Sequence, residues 1–459
     1  MNKLLSSISI ALFLFSVSFA QTSDAALRRA MRLDADQRDE SGKLQTLEAA
    51  EHLSRAETYM ANRLFPQARE HWQKFFDNYP NDPGMPKALF GTGRSYMWER
   101  QYEKAVFWFE KLNGDTSKDG REGLAYKGAS LVRLGKNLEA AKVYEQYVQN
   151  FPTGEKIESA HLNLIDAYRE AGLYDMANTW VDRTTARFRG KTAEVNALHA
   201  RLRMEIFRER WEQASSAASQ LLGLRLSSAG SMTSADEVFF LKGFALDNLN
   251  RDAEARSAYT SAASNPNTYY GAIAKTSALG RNSSIMLLES SNRSNITAGD
   301  YPIVFRSELL ASGKKFKVDP RFLLAIMKQE SSFRPTAKSP VGARGLLQLV
   351  FDTAIKYKDK AGYPNLHPDD LYSPATNIAF GSAYIADLKS QFGGLYEAIA
   401  ASYNGGEDNA ARWLNRSKPK DPGIFVSEIG FKESKDYVFK VMSNYRIYKD
   451  LYTENLERR

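Results

Sequence analysis

Glu330 is the residue in this chain best placed to do chemistry. It follows the apolar run Phe322–Met327, which puts it at the C-terminal end of an expected helix. Just beyond it lies a small, polar, glycine-rich turn carrying Ser339, Gly342, Ala343 and Gly345, and then a second apolar stretch with Gln348. A single acid on the rim of an apolar helix, facing a turn, suits general acid chemistry on a sugar. Burial disfavours the ionised carboxyl, so a proton stays available near neutral pH. An oxocarbenium-like stage ordinarily needs a second carboxylate. The next acid after Glu330 is Asp352, twenty-two positions on and past the glycine turn, and its spacing does not set it opposite Glu330.

The elements that must position this acid can be read from local pattern. Asp319 and Pro320 supply an N-cap and a first helical residue for the segment that delivers Glu330. A later stretch, AIAASYNGGEDNAARWL (Ala398–Leu414), ends a helix at Gly405 and Gly406 and carries Tyr403 and Asn404. The segment FVSEIGFKESKDYVFKVMSNYRIY (Phe425–Tyr448) carries Glu428 and Tyr437 on a further helical pattern.

A chain of 459 residues with 43% apolar content exceeds one typical core, so two or three domains are expected. Lys3, the apolar stretch Leu4–Val17 and Ser18-Phe19-Ala20 read as an export signal, residues 1–20, cleaved after Ala20. Its apolar core is too short for a membrane span, and the mature chain is expected to carry none. The absence of Cys excludes disulfide staples, thiolate metal sites and anchoring through a lipidated Cys. The formal charge is +8, of which +6 falls in residues 301–459. A basic C-terminal third suits an anionic polymer. Nucleic acid fits on charge alone, but no nucleic-acid module is present, and nucleic acid is not expected as a partner. His367 is the only histidine of that third, which argues against histidine-rich metal chemistry. No phosphate-binding loop or dinucleotide fingerprint occurs, so neither a cofactor nor a metal is expected.

Before Glu330 the chain repeats itself. Alanines stand at equivalent places at Ala68, Ala105, Ala141, Ala177, Ala214 and Ala255, spaced 37, 36, 36, 37 and 41 residues apart. A large apolar residue precedes five of them by three positions, at Phe65, Tyr102, Leu138, Tyr174 and Trp211; the sixth has Asp252. Aromatics follow within a turn at Trp72, Trp108, Phe109, Tyr144 and Trp180. This resembles tetratricopeptide-type helix hairpins, in which a small residue lets two helices approach and aromatics fill the groove. The expectation is an all-α protein whose stacked solenoid spans residues 21–265. The aromatics are expected in its core, and its open surface could bind envelope proteins.

The C-terminal third, residues 301–459, is similar to the goose-lysozyme-like catalytic domain of the soluble lytic murein transglycosylases. The resemblance rests on KQESSFRPTAKSPVGARGLLQLV (328–350), with its Glu-Ser and Ser-x-x-Gly-Ala elements, and on the Ala-x-Tyr-Asn-x-Gly core at 401–406. The segment SNPNTYYGAIAKTSALG (Ser264–Gly280) resembles that family's Tyr-Gly linker helix, and 266–300 is expected to be linker helix and irregular connector. The resemblance implies a mainly helical lysozyme-like fold and a carbon–oxygen lyase acting on peptidoglycan glycan strands in the periplasm. It implies that Glu330 is the only catalytic carboxylate. Glu330 would protonate the oxygen between N-acetylmuramic acid and N-acetylglucosamine, then accept the proton of the 6-hydroxyl as it closes a 1,6-anhydro ring.

The same resemblance assigns substrate contacts to Ser339, Gln348, Val350, Tyr403, Asn404 and Glu428. Ser339 either donates to a substrate oxygen or holds its turn. Gln348 would offer an amide to sugar, and Tyr403 would orient Glu330 or the acetamido carbonyl. Asn404 would anchor loop or substrate, and Glu428 would meet substrate peptide or support the site. The chain departs from the family at Leu347 and Val350 (methionines), Phe351 (proline), and Gly430, Ser434 and Lys435 (Pro, Thr and Arg). Two other readings stay open: a hydrolytic muramidase using the same Glu330 with water, and an envelope scaffold with little or no catalysis.

Overall fold

The computed structural model describes residues 25–226, 230–279 and 299–459. The expected export signal and most of the connector lie outside the described residues. Among them the structure is helical throughout, with three isolated β-bridges and no strand. The chain divides into two compact units, Met1–Leu173 with Lys338–Arg344, and Tyr174–Ala337 with Gly345–Arg459.

The first unit holds α1 (residues 25–36), α2 (Ala49–Ala61), α3 (Phe65–Asn78), α4 (Met85–Trp98), α5 (Tyr102–Glu110), α6 (Lys118–Arg133), α7 (Asn137–Asn150) and α8 (Ile157–Glu170). The second continues the repeats with α9 (Tyr174–Arg187), α10 (Thr192–Phe207), α11 (Trp211–Leu222), α12 (Ala235–Asn248) and α13 (Asp252–Ala262). All six period-marking alanines are fully buried in the first turns of α3, α5, α7, α9, α11 and α13. Of the preceding apolar positions only Phe65 is buried, and Leu138 is exposed. The alanine, not its bulky neighbour, is therefore the constant of the hairpin. A second mark lies in glycines facing an aromatic sixteen residues on: Gly93 with Phe109, Gly128 with Tyr144, and Gly243 with Tyr259. A Cβ at Gly93 would come within 2.5 Å of the Phe109 ring, so the first helix must be bare there for the hairpin to close.

At the start of the first unit, a buried polar chain fastens α1 to the first repeat. Asp34 accepts from Arg55 Nη1 and Tyr59 Oη, each at 2.5 Å, and meets His71 Nε2 at 3.0 Å. His71 Nδ1 lies 3.0 Å from His52 Nδ1, and burial pushes His52 down to about 4.

In the second unit α14 (Tyr269–Leu279) follows the last repeat and docks on the residues beyond it. Tyr269 Oη donates to Glu397 Oε1 at 3.2 Å and Tyr270 Oη to the Gly423 carbonyl at 2.9 Å. Gly271 has to be glycine, because a Cβ there would stand 1.9 Å from the Asn265 carbonyl oxygen. The remaining helices are α15 (Arg306–Phe316), α16 (Pro320–Ser331), α17 (Phe351–Ala354), α18 (Lys358–Ala361), α19 (Pro374–Gln391), α20 (Tyr396–Gly405), α21 (Glu407–Arg416), α22 (Pro422–Ser427) and α23 (Lys432–Leu451). Their core forms around α16, whose Phe322–Met327 run is completely buried, with α23 packed along it and α20 along α23.

Candidate active site

Helix α16 starts as its sequence requires, with the Asp319 carboxylate accepting from Arg321 N at 2.9 Å and Pro320 at the first helical position. It stops just after the acid. Ser332 and Phe333 both take left-handed backbone angles, φ 49° and 64°. For non-glycine residues that conformation costs on the order of 1 kcal/mol each. Two such residues in succession turn the chain sharply away and leave the last turn of α16 uncovered by its own continuation.

Glu330 is half-buried in that last turn. Its Oε1 accepts a hydrogen bond from Tyr437 Oη at 2.7 Å, from the second turn of α23. Burial pushes the carboxyl up to about 7, and the Tyr437 donation pulls the other way; no neighbouring acid among the described residues adds to the rise. Burial and then the Glu330 charge raise the Tyr437 phenol well above its ordinary range. The same two causes, in the same order, raise Tyr403. Both hydroxyls therefore stay protonated donors at any working pH. Tyr403 donates to the Leu347 carbonyl at 2.6 Å, with Tyr384 tilted against its ring at 5.5 Å. The orienting partner of Glu330 is thus Tyr437, and Tyr403 ties α20 to the loop backbone beside it.

The residues bracketing the glycine turn are held by their own hydrogen bonds. Gly345 N donates to the Ala337 carbonyl at 2.9 Å. Gln348, at φ 46°, sends its side-chain nitrogen to the carbonyls of Ala337 (3.0 Å) and Gly345 (2.9 Å). Both amide hydrogens of Gln348 are committed to this loop, so of its amide only the oxygen is left for a sugar. Gly345 sits at φ 79°, and a Cβ there would lie 2.1 Å from the Leu371 carbonyl and 2.3 Å from Asn377 Nδ2. Asn377, fully buried on α19, donates to Leu371 O and accepts from Leu347 N, both at 2.8 Å. No local motif marks Asn377; it is legible only once the loop it clamps is in place.

Within the turn itself, Ser339 N donates to Ala343 O at 2.9 Å, and Ser339 Oγ accepts from Ala343 N at 3.0 Å. The Ser339 hydroxyl therefore holds the turn through its oxygen and keeps a hydrogen to donate. Val350 occupies the extended residue ahead of α17 and is half-buried. Asn404 is exposed near the end of α20, its Oδ1 accepting from Ser434 Oγ at 2.7 Å.

Glu428 is buried and paired within the protein. It is 1% exposed, with Arg203 Nη1 at 3.1 Å and Arg416 Nε at 3.5 Å from its carboxylate. Two buried guanidinium groups need a buried anion, and this requirement places the Glu428 side chain inside the protein.

The assembled site offers one carboxyl, roughly half protonated near neutrality, with a phenol donor holding it and backbone loops on either side. It can give a proton to a leaving oxygen and take one back. Residues 309–425 match the family described as Transglycosylase SLT domain, and residues 53–118 and 127–190 match Tetratricopeptide repeat. The soluble lytic murein transglycosylase of Escherichia coli K12 is 37% identical over 136 residues, 29% of this chain and 20% of that one. That of Salmonella typhimurium is 32% identical over 145 residues, 31% and 22% respectively. Membrane-bound lytic murein transglycosylase C of Salmonella typhi is 34% identical over 161 residues, 30% and 44%. The chain thus spans about a fifth to a quarter of the length of the soluble relatives it matches. The solved structure of the 70 kDa soluble lytic transglycosylase from Escherichia coli aligns over 94% of this chain and 86% of that one, at 17% identity and a TM-score of 0.36. The chain carries a transglycosylase SLT domain, preceded by tetratricopeptide repeats.

Proposed function

We propose that this chain is a lytic transglycosylase that cleaves peptidoglycan glycan strands in the periplasm, with Glu330 as its single acid and base. The observation that carries the reading is a half-buried carboxyl pushed up to about 7, held by a tyrosine and, among the described residues, with no second acid adding to the rise. In this reading the Glu330 proton goes to the glycosidic oxygen as its bond to C1 of N-acetylmuramic acid breaks. The 2-acetamido carbonyl of that sugar stabilises the charge at C1. The carboxylate left behind takes the proton of the 6-hydroxyl, whose oxygen bonds to C1. Glu330 ends reprotonated, no water is consumed, and the product is a 1,6-anhydro sugar. The free Ser339 hydrogen, the exposed Asn404 amide and the half-buried Val350 are the groups this reading assigns to the sugar.

The accompanying organisation is an export signal cleaved after Ala20, repeats over 21–265, linker over 266–300 and the catalytic module over 301–459. Trp98 and Phe107, large and exposed on the repeats, support a surface for envelope protein partners. The test is digestion of purified peptidoglycan by the mature chain, read by mass spectrometry beside Glu330→Gln. Muropeptides lighter by one water than hydrolytic products, and absent with the variant, are the expected result. Products with reducing muramic acid would make the chain a muramidase. A folded protein that releases nothing would make it a scaffold.

A further inference from the structure

Helix α23 touches three separate parts of the chain within four residues. Ser434 Oγ donates to Asn404 Oδ1, Lys435 Nζ donates to Glu237 Oε1 and to the Met232 carbonyl, and Tyr437 Oη donates to Glu330 Oε1. Every one of these bonds is 2.7 Å long. Residues two apart on a helix point about 200° apart. Lys435 and Tyr437 therefore leave α23 on nearly opposite sides, one toward α12 of the repeats and the other toward α16.

The Lys435–Glu237 pair is closed to solvent, with side chains 2% and 0% exposed. Glu237 also meets His199 Nε2 of α10 at 2.9 Å. One turn further along α10, Arg203 holds Glu428. The titratable groups facing Lys435 are thus Glu237 and the neutral His199, with Arg203 and Glu428 beyond them. The titratable groups facing Glu330 are the protonated phenols of Tyr437 and Tyr403.

A buried lysine is rare, and a well-packed apolar pair of the same volume would hold two helices together as well or better. What an ion pair adds is direction. A charge-assisted N–H···O bond, doubled here by a backbone carbonyl, narrows the rotation and axial register of a helix more than apolar contact does. Tyr437 needs that precision: a withdrawal of about 1 Å along the bond would take its hydroxyl out of hydrogen-bond range of Glu330.

We propose that Lys435 is a positioning residue for the active site, clamped by Glu237 and Met232 of the repeats so that α23 presents the Tyr437 hydroxyl to Glu330. This rests on the reading of Glu330 as the acid and base. It gives the repeats a share in the chemistry through α12.

The experiment is muropeptide release by the full mature chain, with kcat and KM measured against pH. The variants are Lys435→Met, Lys435→Arg, Glu237→Gln, Tyr437→Phe and the Lys435→Met/Tyr437→Phe double, each checked for folding by circular dichroism and thermal melting. Lys435→Met is expected to lower kcat about tenfold, as displaced catalytic groups do, with KM within about twofold. It should move the alkaline limb of the pH profile in the same direction as Tyr437→Phe. The double variant should move that limb no further than Tyr437→Phe alone, because both changes remove one interaction. Lys435→Arg should restore the limb. A merely structural lysine would lower the melting temperature and leave the limb where it was, and that result overturns the proposal, as does a limb that moves additively in the double. Should Lys435→Met fail to fold, Glu237→Gln keeps the side-chain volume and carries the same expectations. If the wild-type chain releases no anhydro-muropeptides, or Glu330→Gln keeps full activity, the functional reading fails and takes this inference with it; an active wild type with an unmoved limb sinks the inference alone.

Discussion

Replacing Tyr437 by Phe removes one hydroxyl and leaves the ring that packs beside Glu330. The lost contact is a 2.7 Å donation to a carboxylate that burial has pushed up to about 7. A hydrogen bond to a charged group contributes on the order of 1.5–3 kcal/mol. Only the part that favours the carboxylate over the neutral acid moves the pKa. If about half of it does so, the change is about 1.4 kcal/mol, or one pH unit upward. Glu330 would then titrate at about 8, and the alkaline limb of kcat/KM should rise by about one unit. Well below the limb, near pH 6, the acid is protonated in both proteins. A loss of kcat there isolates orientation, expected at about tenfold. The assay is initial rate of anhydro-muropeptide release from pH 5 to 9, quantified by chromatography. The substrate's own carboxyls titrate near pH 4 and do not interfere. A folded variant whose limb stays at the wild-type pH, or moves down, would refute the claim that Tyr437 favours the carboxylate.

Other expectations follow from the same geometry. Gly345→Ala adds a Cβ 2.1 Å from a backbone carbonyl at φ 79°, which should lower stability by about 3 kcal/mol in urea unfolding, from strain and overpacking together. Unchanged stability would mean the loop is looser than its hydrogen bonds imply. Glu428→Ala leaves Arg203 and Arg416 buried without their anion and should destabilise by about 3–5 kcal/mol while KM stays put. A raised KM with stability intact would return Glu428 to the substrate. His52 and His199, both pushed down to about 4 by burial, are neutral in the folded chain. The unfolded chain binds their protons below about 6.5, so stability is full above that pH and falls as pH drops toward 4, by about 2 kcal/mol per histidine at pH 5. Melting temperatures of His52→Gln and His199→Gln against the parent at pH 7 and pH 5 check the sign.

What the sequence made legible was local. The alanine period works because a single small residue in a helix's first turn decides whether a hairpin closes. The apolar run before Glu330 works because an Asp-Pro start marks its six buried residues as a core helix and not a buried strand. The pairings that turn these helices into a site are long-range. Tyr437 reaches Glu330 across 107 residues, Leu347 N reaches Asn377 across 30, and Lys435 reaches Glu237 across 198. Nothing in the periodicity of either partner announces the other. The local surroundings of Gln348 and Glu428 were illegible for a related reason. Each has a residue type suited to binding, but two backbone carbonyls claim one and two buried arginines claim the other.

A single carboxyl that must first give a proton and then take one back meets two opposed demands. A higher pKa keeps the acid form populated to higher pH and leaves a stronger base for the second step, but makes a weaker proton donor for the first; a lower one does the reverse. Burial alone would carry Glu330 toward the first extreme, and the Tyr437 donation pulls it back. Near 7 the acid form is still populated at neutral pH and the carboxylate it leaves is basic enough to take the proton back, so one group can serve both steps without a second carboxylate. The hydroxyl of Tyr437 is therefore more than a packing partner. It sets the balance between the two half-reactions, and what fixes its position governs that balance too. On this argument a variant that raises the Glu330 pKa should, below its alkaline limb, slow bond cleavage relative to ring closure, and that asymmetry would separate Tyr437 from a residue that only holds the fold.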